Sequence, residues 1–301
     1  MGKESSKYLL ISPCRNEEEY MRKTLDSVVR QSVLPAKWII IDDGSTDNTP
    51  KILNEYANKF SWIEILTRED RGKRAVGPGV IEAFYTGYNA VNLDDYEYLC
   101  KLDLDLDLPI HYFKLLINKM KLDPRQGTCS GKSYIYKKGL LVSERKGDDT
   151  SLGMTKFYRV SCFKEIGGFV HEVMWDGIDC HRCRMLGWKA SSWDEPELRF
   201  IHLRPMGSSQ QNIFVGRMRH GFGQYFMGTG FVYILASVIF RLNEKPYIFG
   251  SLAVLWGWLR SALLRMDRYD DPEFRKFLNH YQWRSLLVGK KRALAEIESH
   301  W

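Results

Sequence analysis

Three short apolar runs separated by helix-like segments limit the first part of this chain to one class of fold. The runs lie at residues 8–12, 37–41 and 63–66, and each has the length of a buried strand. Residues 17–31 place apolar side chains at helical spacing, and residues 73–91 are also helix-like. This alternation predicts an α/β domain with a mostly parallel sheet, in which ligands gather outside the carboxyl ends of the strands.

An acidic stretch follows a later apolar run. Residues 101–109 read Lys-Leu-Asp-Leu-Asp-Leu-Asp-Leu-Pro. On one extended strand, Asp103, Asp105 and Asp107 would share a face, and the leucines would anchor the opposite face in the core. Close carboxylates repel one another unless a cation neutralises them, and they are ligands that Mg²⁺ or Mn²⁺ accepts. The residues alone leave two interpretations open: a metal site, or an edge strand with a solvated acidic face.

The charge balance favours an anionic partner. The 301 residues include 44 Lys and Arg and 37 Asp and Glu, for a formal net charge of +7. This excess suits a nucleotide phosphate, an anionic membrane surface or nucleic acid. Because no nucleic-acid reader motif is recognisable, we expect no nucleic-acid partner. The six cysteines are scattered through strand- and helix-like segments, which predicts reduced thiols and a cytoplasmic protein.

Two apolar segments change the character of the last third of the chain. They lie at residues 226–242 and 247–264, with arginines and lysines around them. Each is short for a bilayer span of about 20 residues. The pattern predicts a helical hairpin (226–264) that lies in the membrane interface or re-enters it; a soluble helical pair packed on the main domain remains open. We therefore expect an α/β domain over residues 1–210 and a helical region over residues 211–301.

Four motifs then occur in order along the first two thirds of the chain. They are Ser-Pro-Cys-Arg-Asn-Glu-Glu at 12–18, Ile-Asp-Asp-Gly-Ser-Thr-Asp-Asn-Thr at 41–49, Lys-Leu-Asp-Leu-Asp at 101–105, and Trp-Asp-Gly-Ile-Asp at 175–179. Their order and spacing resemble those of the family 2 glycosyltransferases, which have the GT-A fold, over roughly residues 7–205. The resemblance implies a Rossmann-like mixed sheet and an inverting transfer of a sugar from a nucleotide-diphosphate donor, with a divalent metal (Mg²⁺ or Mn²⁺).

The resemblance also assigns contacts to the donor and the metal. Asp103 and Asp105 match the two carboxylates of the family's Asp-x-Asp motif, with Asp105 the metal ligand, whereas Asp107 falls beyond the motif. Several GT-A enzymes supply a late histidine to the metal, and His202 is the best-placed residue here, although a lone histidine is more often structural. The residues predicted to contact the nucleotide sugar are Pro13, Arg15, Glu17, Asp43, Lys73 and Asp103.

Each donor-contact position also has an ordinary structural interpretation. Asp43 can form a tight turn with the glycine that follows it. Arg15 and Glu17 can be surface residues at the start of a helix. Lys73 belongs to a basic cluster at 71–74, which could meet the diphosphate or form a solvated charged surface.

Asp176 is the candidate general base. The family usually carries an Asp with Arg six residues later and Gly-Trp eleven and twelve residues later; here these are Arg182, Gly187 and Trp188. A carboxylate in this role removes the proton from the acceptor hydroxyl as it attacks the sugar. Trp175 stands where the family often has Glu, a departure that bears on acceptor recognition. The alternative role of Asp176 is the N-cap of the helix that follows.

The predicted activity is transfer of one sugar to a glycan or glycolipid acceptor. Because of the apolar hairpin and its basic flanks, we expect this acceptor to be lipid-linked and the enzyme to lie at the cytoplasmic face of the membrane. The Gln-x-x-Arg-Trp motif of processive polysaccharide synthases is missing. Two alternatives remain. A sugar-1-phosphate nucleotidyltransferase also uses a nucleotide-binding sheet and acidic metal ligands. A non-catalytic membrane adaptor on a transferase fold would explain the hairpin and the basic charge.

Overall fold

The computed structural model describes residues 6–72, 77–144, 147–204, 213–242, 247–299 and 301. The chain forms two compact units. The first unit comprises residues 1–171 and 188–205, and the second comprises residues 172–187 and 206–301. The division therefore does not follow a single cut in the chain, and the domain boundary expected at residue 210 stays a prediction.

The strands are short and the helices are longest near the carboxyl terminus. The strands are β1 Tyr8–Cys14, β2 Lys37–Asp42, β3 Ile63–Thr67, β4 Tyr98–Leu102, β5 Leu106–Asp107, β6 Gln126–Ser130, β7 Lys132–Lys137, β8 Leu140–Ser143, β9 Thr155–Arg159, β10 Lys189–Ser192 and β11 Arg199–His202. The helices are α1 Met21–Val29, α2 Thr49–Ala57, α3 Pro78–Tyr88, α4 Tyr112–Leu122, α5 Val160–Glu165, α6 Trp175–Met185, α7 Ile213–Met227, α8 Phe231–Phe240, α9 Tyr247–Leu263, α10 Pro272–Val288 and α11 Lys290–Glu298.

The first unit is built on a mixed sheet in the order β10-β6-β9-β4-β1-β2-β3. The pairs β1–β2, β2–β3, β1–β4 and β10–β6 are parallel, whereas β9 runs antiparallel to both β4 and β6. The alternation of strands and helices in the sequence predicted this architecture. Because β4, β1 and β2 are parallel neighbours, their carboxyl ends meet at one edge of the sheet, where the acidic motifs begin.

The apolar periodicity of the sequence explains how the helices cover this sheet. In α1, Met21, Leu25 and Val28 are fully buried, at the spacing that places side chains on one helical face. In α3, Gly87 lies so close to the sheet that a Cβ atom there would be 2.7 Å from Cδ1 of Ile41. Packing of these helices buries both strand faces, which is why the strands read as continuous apolar runs.

The acidic stretch is not one strand, so the expectation of a single acidic face is wrong. β4 ends at Leu102, the chain bends at residues 103–105, and β5 joins a second sheet in the order β5-β11-β7-β8. The leucines 104, 106 and 108 are all buried in the core, as predicted. The bend gives Asp103 and Asp105 different partners, Lys101 for the first and His202 and Arg204 for the second, while Asp107 lies beyond it in β5.

The second unit is helical. Tyr225, Ile234, Val254 and Trp258 form a small buried apolar cluster among α7, α8 and α9. In the described residues, no helix combines the length and the apolar character that a membrane crossing requires. The two helices predicted for the apolar segments are present as α8 and α9, and the described residues after them form α10 and α11.

Helices α7 and α9 approach each other closely at glycine residues, so we expect a larger side chain at Gly257 to destabilise the fold. A Cβ atom on Gly257 would lie 2.1 Å from the carbonyl oxygen of Met218, which is backbone and cannot rotate away. We expect Gly257→Ala to destabilise the fold by about 1–3 kcal/mol through overpacking, measured as a lower midpoint in urea unfolding. Gly177→Ala is the matched control, because its nearest neighbour is the flexible Met174 side chain at 3.5 Å; equal midpoints for the two variants would contradict this packing.

Candidate functional site

The loops after β1 and β2 are tied together by hydrogen bonds. The backbone N–H of Asn16 donates to Oγ of Ser45 at 2.9 Å, and that of Glu17 donates to Oγ1 of Thr49 at 2.8 Å. The side chain of Asn16 in turn accepts from the backbone N–H of Thr46 at 2.8 Å. These hydrogen bonds hold the loop after β1 against the loop after β2, and so hold in place the charged residues that the two loops carry.

Gly44 allows the second loop to pass close to the chain after β3. Its φ is +71°, and a Cβ atom there would lie 2.5 Å from the Cα of Asp70. A left-handed φ and this close approach together require glycine. The expected turn after Asp43 is therefore present, and it places the segment around Asp70 against the second loop.

Asp43 is buried beneath two arginines that lie after β3. Its carboxylate accepts a hydrogen bond from Nη1 of Arg68 at 2.9 Å and a second one from Arg71. Arg71 also pairs with Glu82 of α3 at 2.5 Å. Arg15 donates to the backbone carbonyl of Asp43 at 2.6 Å. The structure therefore brings Arg15 and Asp43 together. The same network of hydrogen bonds includes Arg68, which the sequence motifs did not identify.

Asp105 lies in a second network at the end of β4 and β11. The two His202 nitrogens face two carboxylates: Nε2 lies 3.6 Å from Oδ2 of Asp105, and Nδ1 lies 3.0 Å from Oε2 of Glu144. Arg204 contacts the same Asp105 oxygen at 3.1 Å and also pairs with Glu17. Within the described part of the chain, the other oxygen of Asp105, Oδ1, is buried and has no hydrogen-bond partner.

The charges of this second network shift its protonation equilibria. Burial alone lowers the pKa of His202, but the hydrogen bonds and charges of Asp105 and Glu144 outweigh burial and raise that pKa to about 9. Burial raises the pKa of Asp105, but His202 and Arg204 more than compensate, so its pKa is lowered. Asp105 is therefore ionised at neutral pH, as a cation ligand must be, whereas His202 is protonated in the metal-free network and binds a cation only after losing its proton.

Asp103 is held separately, by a buried lysine. Nζ of Lys101 donates to Oδ1 of Asp103 and to the carbonyl oxygen of Gly153, the latter at 2.9 Å. Lys101 is 2% exposed, whereas the Asp103 side chain is 34% exposed. The lysine thus fixes one carboxylate oxygen and leaves the side chain accessible from solvent.

Asp176 belongs to the second unit, at the start of α6. The residue before the helix, Met174, has a left-handed φ of 65° and occupies the N-cap position. Asp176 is the second helical residue and is exposed. The alternative interpretation of Asp176 as the N-cap is therefore wrong, and its role as general base stays a prediction.

The structure groups most of the predicted residues and adds several others. Lys73 lies outside the described residues, and Pro13 lies in β1 opposite Ile41 of β2. The motifs did not identify Glu144. This residue follows β8, which lies beside β7 and not beside β11, so the order of residues in the sequence does not indicate its contact with His202. Arg68 had a usable signal: it directly follows β3, at the same carboxyl edge as Asp43. The roles assigned to these residues stay predictions.

Solved structures share this fold at low sequence identity. A mannosyltransferase, PcManGT from Pyrobaculum calidifontis in complex with GDP-Man and Mn²⁺, is 16% identical, with a TM-score of 0.52 over 97% of this chain and 86% of that chain. Staphylococcus aureus TarS 1-349 in complex with UDP-GlcNAc is 16% identical, with a TM-score of 0.54 over 97% and 89%. GalNAc-T7 with UDP, GalNAc and Mn²⁺ is 14% identical, with a TM-score of 0.59 over 95% of this chain and 58% of that chain. The expected GT-A fold is confirmed.

Curated relatives match less than half of the chain. Poly-beta-1,6-N-acetyl-D-glucosamine synthase of Staphylococcus aureus (strain COL) is 29% identical over 134 residues, which cover 44% of this chain and 29% of that protein. The Staphylococcus epidermidis protein of the same name is 29% identical over 136 residues, with the same shares. The match thus spans less than a third of these relatives. The family described as "Glycosyl transferase family 2" matches residues 10–175, more than half of the chain, and the chain belongs to this family.

Proposed function

We propose that this protein is an inverting glycosyltransferase that moves a sugar from a nucleotide-diphosphate donor to a hydroxyl of a lipid-linked glycan. The observation that carries the proposal is the presence of two buried carboxylates with different partners. Asp43 lies beneath two arginines, and Asp105 lies beside His202. Family membership and neighbours named for UDP-GlcNAc and GDP-Man support a nucleotide-sugar donor.

The network around Asp43 is suited to a nucleoside diphosphate. A carboxylate accepts hydrogen bonds from a base N–H or from ribose hydroxyls, and a guanidinium binds phosphate oxygens through two parallel hydrogen bonds. In the proposed complex, Asp43 contacts the nucleoside, while Arg15 and the arginines after β3 lie beside the phosphates. Glu17 and Pro13 shape the first loop of this site.

The residues at the end of β4 fit a divalent ion, Mg²⁺ or Mn²⁺. Among the described residues, no group of three or more His, Cys, Asp and Glu side chains has the arrangement of a complete metal site. Two protein ligands are enough where substrate phosphates and water complete the coordination. Asp105 and His202 would hold the ion, since a buried Oδ1 lacks a hydrogen-bond partner in the described part of the chain. A bound divalent ion supplies positive charge that offsets the charge growing on the leaving diphosphate.

The chain's own residues account for the remaining steps. Asp103 contacts the donor, held in place by Lys101. Asp176 takes the proton of the acceptor hydroxyl, the hydroxyl oxygen forms a bond to C1 of the sugar, and the C1–O bond to the diphosphate breaks on the opposite face. The electron pair of that bond stays on the nucleoside diphosphate, which leaves. Arg204, beside Asp105, supplies further positive charge near that leaving group.

The acceptor and the location are part of the same proposal. The relatives are named for synthesis of a polysaccharide, which supports a glycan acceptor. All six cysteines lie in the described part of the chain, are buried and form no disulfide there, which supports a cytoplasmic location. We place the enzyme at the cytoplasmic face of the membrane, where a lipid-linked acceptor would be presented.

A donor-turnover assay tests this function. The purified protein is incubated with a panel of nucleotide sugars and Mn²⁺, with and without a lipid-linked glycan, and the products are separated by chromatography. Release of a nucleoside diphosphate that increases with acceptor supports the transferase. Pyrophosphate made from a sugar-1-phosphate and a nucleoside triphosphate would instead show a nucleotidyltransferase, and no turnover of any donor would favour a non-catalytic adaptor.

Glu144 is expected to act as a positioning residue for the metal. The Glu144 carboxylate contacts Nδ1 of His202, which leaves Nε2 facing Asp105. Residues that orient a metal-binding histidine in this way typically contribute about 10- to 100-fold to metal affinity. We expect Glu144→Ala to weaken Mn²⁺ binding by about 10- to 100-fold, measured by electron paramagnetic resonance of free Mn²⁺ with and without UDP. Glu144→Gln keeps an accepting oxygen and should lose less.

The control for this prediction is Glu195→Gln, because Glu195 is an exposed carboxylate that pairs with Lys119 instead. Its Mn²⁺ affinity should equal that of the unmodified protein. If Glu144→Ala binds Mn²⁺ as tightly as the control does, His202 does not depend on Glu144 for its orientation, and the assignment is wrong.

A further inference from the structure

Two helices of the second unit keep large apolar side chains in solvent. We define the α8–α9 face by these exposed residues. Soluble monomeric proteins rarely expose a contiguous apolar surface of this kind, and such surfaces mark interaction sites. Three of its members are more than two-thirds exposed: Phe240 at 83%, Leu263 at 76% and Phe249 at 71%. The face consists of Phe231, Val232, Leu235, Ile239, Phe240, Ile248, Phe249, Leu252, Trp256, Leu263 and Leu264.

The two helices are apolar on their inner and outer sides. In α8, Ile234 and Val238 are buried, whereas Leu235 and Ile239, one turn apart, are exposed. The ten residues of α8 include no charged side chain. A helix that is apolar all round normally lies inside a protein or in lipid. Packing within the unit therefore satisfies only half of the apolar surface of α8, and the same holds for α9.

The lengths of these helices favour a position along a membrane surface. With 10 residues in α8 and 17 in α9, they extend about 15 and 26 Å at 1.5 Å per residue. The hydrocarbon core of a bilayer is about 30 Å thick. Helices of this size with exposed Phe, Leu and Trp bury one face at the boundary between headgroups and acyl chains.

The charges near the face identify the kind of surface. Residues 213–268 include seven basic and two acidic residues. Arg260, Arg265 and Arg268 are exposed, so their guanidinium groups are accessible to solvent and to phosphate. Acidic phospholipid headgroups attract basic residues that flank an inserted apolar face. A neutral protein partner would gain nothing from this excess of positive charge.

We propose that the α8–α9 face lies in the interface of a bilayer that contains acidic phospholipids, with Phe240, Phe249, Trp256 and Leu263 among the acyl chains and the arginines at the headgroups. The attachment rests on the membrane location in the proposed function and involves helices α8 and α9 of the second unit. It gives the chain a fixed surface for a lipid-borne acceptor.

Vesicle sedimentation of the full chain tests the proposal. The probes are vesicles of phosphatidylcholine alone and of phosphatidylcholine with phosphatidylglycerol. We expect binding to the mixed vesicles, weaker binding to the neutral ones, and loss of most binding at high salt. Phe249→Glu should reduce binding by about 10- to 100-fold, because one aromatic side chain no longer leaves water. Trp256→Phe should remove most of the blue shift in fluorescence that vesicles produce.

Controls separate this surface from general stickiness. Leu122→Glu changes an apolar residue that is 84% exposed in the first unit, and it should leave vesicle binding unchanged. Equal losses in Leu122→Glu and Phe249→Glu, or no binding of the unmodified chain to mixed vesicles, would overturn the proposal. Sedimentation velocity covers the remaining outcome: a dimer that Phe249→Glu converts to a monomer, without vesicle binding, would show that two copies cover the face.

Discussion

Replacing Asp176 by Asn is expected to lower kcat by about 10²- to 10⁴-fold, the range that a general base contributes. The amide keeps the shape of the side chain but cannot take the proton of the acceptor hydroxyl. Donor binding should remain, because no donor contact is assigned to Asp176. Steady-state release of nucleoside diphosphate measures kcat, and calorimetric titration with the nucleotide sugar measures binding.

Asp270→Asn provides the control for Asp176→Asn. Asp270 is also an exposed carboxylate of the second unit, so the two variants change surface charge equally. Its turnover should match that of the unmodified protein. An Asp176→Asn variant with full turnover would assign the base to another residue, while a loss of donor affinity equal to the loss of kcat would point to a binding role.

Replacing Asp105 by Asn should remove metal-dependent turnover, with kcat/KM lower by about 10²- to 10³-fold. Asp105 is the buried carboxylate beside His202, and an amide neither carries the charge nor offers the same affinity for Mn²⁺. Binding of Mn²⁺ measured by paramagnetic resonance should weaken in parallel. Circular dichroism verifies that the variant is folded, and His202→Gln should change Mn²⁺ binding in the same direction.

Asp107→Asn is the matched control within the same acidic stretch. Asp107 lies in β5, opposite Ile201 of β11, beyond the bend that separates it from Asp105. We expect its Mn²⁺ affinity and turnover to stay near those of the unmodified protein. If Asp107→Asn loses as much Mn²⁺ affinity as Asp105→Asn, the metal is bound by the acidic stretch as a whole, and the assignment of Asp105 and His202 is wrong.

Much of the fold could be predicted because local chemistry decides it. Strands β1 and β2 are buried on both faces, so they appear as apolar runs, whereas the edge strand β3 is only partly buried. Helix α1 shows its buried face in the spacing of Met21, Leu25 and Val28. Gly44 could be expected in a left-handed turn from the residues around it. These features depend on neighbours within a few residues, which the sequence displays directly.

Other features depend on distant neighbours and could not be predicted. In the acidic stretch, aspartates alternate with leucines at every second residue, and this two-residue period favoured a single strand. The chain bends at residues 103–105 because Leu106 and Asp107 pair with β11, almost a hundred residues later. The bend leaves Asp103 with Lys101 and Asp105 with His202 and Arg204.

The sequence by itself determined the class of fold, the family and the acidic and basic residues available at the sheet edge. These follow from short-range patterns and from the order of motifs. Only the tertiary structure decided which of these residues share a network, since hydrogen bonds and ion pairs require contacts within about 3–4 Å that sequence spacing does not specify. Glu144 reaches His202 across the second sheet, and Arg204 pairs with both Asp105 and Glu17, the latter 187 residues away in the chain. The fold also decided which apolar residues of α8 and α9 were left in solvent, because burial depends on what packs against each helix face.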